Sequence, residues 1–552
     1  MQLFNKPSAW LVFLPLLACA GGCVSPRGQS EVEARLRVAD TAVERGQYPW
    51  AARQYRLAAQ SGSNELAERA ARMAFDNAQD GELLAIASEW LVRDPKSEVA
   101  RRFRALALLQ LDRRSEAARE FAILVKTAYA SPAEAFLALR ETLVETSNEA
   151  GAAAIVGLLA NQYPTVAEAA YAHATLALNA GDSTTALRAI QTALALKPHW
   201  REARWVQARA HVAAGDCDSG LSAARGLAAE SGDTEQLNYA WLLTACGRAV
   251  EARPLFESLA RGRLHIEALG GLASTDVESH RYDEALKEYS ELAGTGHNTE
   301  QALFGLAVIA DRRHEVERAA HLYMRVTTGP RAVAAQLRAY RLLLETGDRD
   351  GATRMLDQAV INEPTIRVPL TAGRAQLLAE VGRSVEALSL LQRARAMYPD
   401  REELAYANAV VLEKMGDLSG ALNTLRAILR TRPNDPAAQN ALGFTLAEHG
   451  QHLDVAERLI KAAYAQVPDS AAIRDSLGWV LFRRGDGVGA LRWLQSAYAK
   501  ELDAEIAVHL ATVEWAQGDT SAAKALVLQA LERTPGDQRL DALRVRFGIL
   551  LP

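Results

Sequence analysis

Residues 475–485 read DSLGWVLFRRG, and the fold follows from them and the thirteen or so residues after. Gly478 stands where two helices must come close, Gly485 where the first of them ends, and Ala490, Leu494 and Ala497 form an apolar i, i+4, i+7 face on the second. Glycine reaches the positive φ of a helix end at no steric cost, and alanine lets two helix backbones approach without a bulky side chain between them. The stretch therefore encodes two short antiparallel helices joined by a tight turn.

The same spacing runs through most of the chain. The small-residue slot is filled by Ala51, Leu83, Ala117, Ala152, Ala186, Gly220, Ala252, Ala285, Ala319, Ala352, Ala387, Ala421, Ala456, Ala490 and Ala523. The turn slot ahead of it holds glycine at 46, 181, 215, 247, 347, 382, 416, 450, 485 and 518, and a proline closes the unit at 95, 164, 198, 364, 399, 433, 468 and 535. Proline cannot continue a helix, so the second helix must stop there. A period near 34 residues with these fillings resembles the tetratricopeptide repeat. The fold it implies is all-α, a right-handed superhelical solenoid of about fifteen helix-turn-helix units.

Composition agrees with a helical array. Apolar residues make up 49% of the 552, aromatics only 6%, so alanine and leucine carry the excess. A solenoid needs no single growing core, because each unit packs on its neighbours alone. The 62 basic and 67 acidic residues nearly cancel, and no run of five like charges occurs, which speaks against nucleic acid as a partner.

The first residues read as an export signal. Lys6 precedes the apolar run 10–17, too short to span a bilayer, and small residues follow up to Cys23. Residues 20–23, AGGC, resemble the lipobox of bacterial lipoproteins, with 16–19, LLAC, as a rival ending at Cys19. The expected organisation is a lipoprotein signal over 1–22, a lipidated Cys23 (alternatively Cys19) and tether over 23–31, repeats over 32–537, and a capping segment over 538–552. No aspartate follows Cys23, which in such lipoproteins implies the outer membrane, with the body facing the periplasm. The other two cysteines, Cys217 and Cys246, flank Gly215 and Gly247 in adjacent units. Stacked turns would bring them to one edge, where they form either a disulfide or two buried thiols.

Sequence patterns of catalysis are missing: GxSxG, HExxH, a P-loop, a dinucleotide fingerprint and a CxxC pair do not occur. His449 and His452 are the nearest approach to a metal pair, and turn histidines without further donors read as solvated. The expectation is a chain with no catalytic residues, no metal and no cofactor.

In repeats of this kind the first helix of each unit lines the concave wall. Position counting there places Tyr406, Asn440, Phe444, Asp475, Trp479, Phe482 and Trp515 on the inner face, a set suited to burying a peptide's apolar side chains and bonding its backbone. The alternative is that the aromatics fill gaps between units, as Trp479 could beside Gly478. The run over 440–463, 475–498 and 503–519, with one extra residue between Gly450 and Ala456, goes beyond the general repeat pattern. It resembles long outer-membrane tetratricopeptide lipoproteins of Gram-negative bacteria that act as adaptors of periplasmic carboxyl-terminal processing proteases. That resemblance implies a non-catalytic scaffold whose partners are a periplasmic serine protease and its cell-wall hydrolase substrates. A scaffold of an envelope secretion or polysaccharide-export system is the alternative. Leu502 in a proline slot and the glycines at 487 and 489 depart from the pattern.

Overall fold

The structure is a computed structural model that describes residues 26–60, 63–144, 146, 148–229, 232–362, 366–534 and 537–549. The export signal, Cys19, Cys23, Pro364 and Pro535 lie outside the described residues. Thirty-one α-helices and no strand occur among the described residues, from Pro26–Glu44 to Gln538–Arg546. Two helices per unit make fifteen successive units and leave the last helix over. That helix puts Leu540 and Leu543 against the final unit, next to buried Phe547 and Ile549. The architecture is a superhelical tetratricopeptide-repeat solenoid.

One close approach recurs in successive C-terminal units. In the helix Ala471–Arg483, Gly478 meets the helix Gly487–Lys500, where a Cβ would lie 2.5 Å from Leu494 Cγ and 3.1 Å from the Ala490 carbonyl oxygen. Gly443 stands in the same relation to Ile460 and to the Ala456 carbonyl one unit earlier. Ala456, Ala490, Leu494 and Ala497 are fully buried. Removing a leucine side chain from water is worth about 2–3 kcal/mol, so burial of Leu494 contributes substantially to holding this pair of helices together.

Where the turn slot lacks glycine, other residues take the left-handed backbone: Ala78, Asp112, His280 and His314, with φ between 52° and 59°. An L-residue there costs roughly 1–2 kcal/mol, and packing on either side holds it in place. The extra residue after Gly450 is absorbed by a second left-handed position, His452 at φ 45°, directly before the helix Leu453–Gln466. Gly487 and Gly489 do not loosen the turn. Asp486 caps the helix by accepting from the Gly489 amide at 2.8 Å, and a Cβ on Gly489 would run into that carboxylate.

The fourth unit departs from the rule. Pro132–Leu143 packs chiefly on Ala167–Asn179, and Glu149–Ala160 lies against both Arg114–Thr127 and Ala167–Asn179. The second of these, EAGAAAIVGLLA, is apolar on nearly every side, so burial between neighbours on several faces suits it better than one partner.

Cys217 and Cys246 are joined in a disulfide with Cα atoms 5.9 Å apart and 29 residues of separation. The chain also comes round on itself: Gln79 Nε2 donates to the Met397 carbonyl, 318 positions on, and Ser183 Oγ to Asp469, 286 positions on.

Two outcomes follow. Gly478→Ala forces a methyl group into Leu494 and should cost about 1–3 kcal/mol, read as lost hydrogen-exchange protection over 471–500; unchanged protection would refute the close-approach account. Replacing both Cys217 and Cys246 by serine should destabilise the sixth and seventh units by about 3 kcal/mol on loop-closure entropy, and reductant should do the same to the unmodified chain in thermal unfolding.

Candidate protein-binding groove

Tyr406, Asn440 and Asp475 sit one unit apart at the same position of successive first helices, and His509 continues the column in Ala504–Ala516. Period 34 thus brings four polar side chains into register. The sequence reading named three of these and passed over His509, although its distance from Asp475 carried the signal. Each member finds a different environment.

Tyr406 is half-buried and its hydroxyl donates to Asp435 Oδ1 at 3.1 Å, the carboxylate that also caps Pro436–Glu448 by accepting from the Ala438 amide. Burial, then the charge of Asp435, pushes the phenol far above its ordinary value, so it stays a donor. Asn440 is half-buried, with Oδ1 shut off from solvent and without a hydrogen-bond partner. Asp475, 5% exposed, and His509, 7% exposed, meet at 2.8 and 2.9 Å through Nδ1.

Around this pair the aromatics form a continuous layer. Trp479 stacks on the His509 ring at 4.4 Å, Phe444 lies 5.8 Å from the same ring, and Phe482 lies 5.5 Å from Trp479. Trp479 Nε1 donates to Glu448 Oε2 at 2.6 Å, so a single indole ties three first helices together. With 9% exposure Trp479 works between units, and Asp475 does the same; neither offers its face to solvent. Phe444, Phe482 and Trp515 remain partly exposed, and Trp515 stacks in parallel on Phe547 at 4.1 Å. The open aromatic surface therefore narrows to Phe444, Phe482 and the edge of Trp515.

Trp205, Trp241 and Phe304 serve packing in the central units, where Trp241 meets Phe256 edge-on at 5.2 Å. His449 is not free, since its Nε2 lies 2.9 Å from Glu413 Oε1 of the preceding unit. Among the described residues no group of three or more histidine, cysteine, aspartate or glutamate side chains is arranged to hold a metal ion, and no helix is long and apolar enough to cross a membrane.

Burial opposes charge on His509, yet the Asp475 carboxylate outweighs it and holds the imidazole above its usual value. Burial also raises Asp475, against the pull of His509. The raised His509 value means that the folded chain holds the imidazole's proton more tightly than the unfolded chain does. That contribution of His509 is complete below the free imidazole value, about 6.5, and is lost as pH rises through the raised one. Hydrogen-exchange protection over 471–516 should thus decline as pH rises above about 6.5, and His509→Gln should flatten that decline. A pH-independent wild type would remove the ionised pair from the account.

Comparison with known proteins finds similar repeat segments. Residues 378–443 match one tetratricopeptide-repeat family and residues 171–235 and 445–504 match another. TPR repeat-containing protein PA4667 of Pseudomonas aeruginosa is 33% identical over 209 residues, which is 38% of this chain and 35% of that protein. Cellulose synthase operon protein C of Xanthomonas axonopodis pv. citri is 28% identical over 214 residues, 35% of this chain and 13% of that protein. The matches therefore span about a third of the first relative and a smaller part of the second. Among solved structures, yeast Tom70 aligns over 75% of this chain and 95% of its own at 14% identity and a TM-score of 0.35; the Thermus thermophilus protein TTC0263 aligns over 33% and 100% at 24% identity and 0.30. The stacked helical pairs have the tetratricopeptide-repeat fold, and the three matched segments, about a third of the chain, are similar to tetratricopeptide-repeat families.

Proposed function

We propose that the protein is a non-catalytic scaffold that holds protein partners on its first-helix wall. The observation that carries this is the partly exposed aromatic surface of Phe444, Phe482 and Trp515, beside the buried Trp479–His509–Asp475 assembly. Rigid aromatics backed by a packed layer are suited to anchoring apolar side chains of a bound segment, because little side-chain freedom is lost on binding.

The finer reading is that of an adaptor tethered to the outer membrane through a lipid on Cys23, facing the periplasm, with a carboxyl-terminal processing protease and its cell-wall hydrolase substrates as partners. The C-terminal run 440–519, with its resemblance to outer-membrane repeat lipoproteins, supports it. The mechanism is effective concentration. Two partners held on one frame meet more often than they would free in solution, with no chemistry supplied by the scaffold. The similarity to cellulose synthase operon protein C favours a second reading, a scaffold in polysaccharide export.

Capture of the full-length anchored protein from envelope extracts, followed by mass spectrometry, separates the two. A processing protease recovered in stoichiometric amount supports the adaptor, and an export channel supports the other. Phe482→Ala should weaken the recovered interaction about tenfold with helical content unchanged, whereas Trp479→Ala should lower helical content first. Equal capture by Phe482→Ala and wild type would remove the aromatic surface from the binding site.

A further inference from the structure

Two opposite edges of the superhelix touch. Hairpin turns of the first, second, third and fifth units face the loops that precede the first helices of units eleven to fourteen. Tyr48 lies under the Arg367 guanidinium, 4.2 Å from its ring centroid. Asp80, almost wholly buried, pairs with Arg401 at 3.1 Å. Arg432 approaches Asp112 at 3.9 Å, and Asp469 accepts from Ser183 Oγ at 2.8 Å and the Thr184 amide at 2.7 Å. The contacts advance in the same order along both edges, with the fourth unit passed over, so one circuit of the chain rests on the next.

This seam differs in kind from the joints between units. Most of those are built on buried alanine and leucine; the seam is mostly polar and charged and borders an open cleft of about 1120 Å³ between residues 111–116 and 395–466. Arg401 Nε and Glu402 Oε2 are buried beside that cleft with no hydrogen-bond partner. Groups left unpaired penalise the closed form, and polar contacts between parts of one chain can be exchanged for contacts with water.

We infer that the seam is a latch: the superhelix opens and closes there as a ring does at its clasp, with ion pairs setting the balance. When closed, the ring leaves its inner wall open to an extended segment entering along the axis; when open, it admits a folded partner from the side. The part concerning partner entry rests on the scaffold reading above. The opening itself does not, so a failed capture experiment and a failed seam experiment can be told apart.

The geometry supplies its own probe. A Cβ on Gly81 would lie 2.7 Å from the Asp400 carboxylate, so Gly81→Cys with Asp400→Cys places two thiols across the seam. In the full chain, mass spectrometry of peptides joined between 81 and 400 should show ready cross-linking at low salt. Joining should fall about tenfold at roughly 1 M salt, where screening reaches only about 3 Å, and by a similar factor when Arg401→Glu is added. Small-angle scattering of the unmodified protein should show a radius of gyration that grows over the same salt range, which keeps the test independent of any variant that fails to fold. Absence of the joined peptide at low salt would mean that the edges do not meet in solution. Joining and radius that ignore both salt and charge reversal would mean a fixed weld. Either result overturns the latch.

Discussion

The interaction on which most of the rest depends is the near-contact of two helix backbones inside a unit, at a slot held in most units by alanine or glycine. Where Gly478 meets Leu494 and the Ala490 carbonyl there is no room for one further carbon atom. That approach fixes the angle between the helices of a unit. The next unit then stacks at nearly the same angle, and small identical rotations accumulate into a superhelix. Nothing else in the chain has to specify the overall curve.

This dependence explains what could be read in advance. Alanine and glycine at a fixed period, glycine or a substitute at the turn and proline at the close are local requirements, and each leaves a mark on the residue that meets it. Ala78, Asp112, His280 and His314 show that the mark can be weak and the conformation still obeyed, because the helices on either side impose it. The fourth unit was less legible: its spacing is regular, but EAGAAAIVGLLA has no polar face to orient it, and its neighbours decide where it lies.

The candidate site was harder still, for a physical reason. Position counting finds which side of a helix a residue occupies but not how deep the next unit covers it. Trp479 and Asp475 sit on the counted face, and His509 from the following unit closes over both. The indole, the imidazole and the carboxylate therefore become structure that supports a surface, and Phe444 and Phe482 at its margin keep the exposure. Contacts such as Asp80 with Arg401 leave no periodic trace at all, since they depend on the sum of rotations over many units.

That sum has a consequence for how such a chain can change. Units of a solenoid are individually replaceable, and a gene built from them grows or shrinks by whole copies with little loss of stability. Here the two edges match only because a particular number of units lies between them. One copy more or fewer in the middle would carry Asp469 past Ser183 and Arg401 past Asp80 by a whole unit. Self-contact thus fixes a copy number in an architecture that is otherwise indifferent to it, and lineages that keep the contact are bound to keep the count.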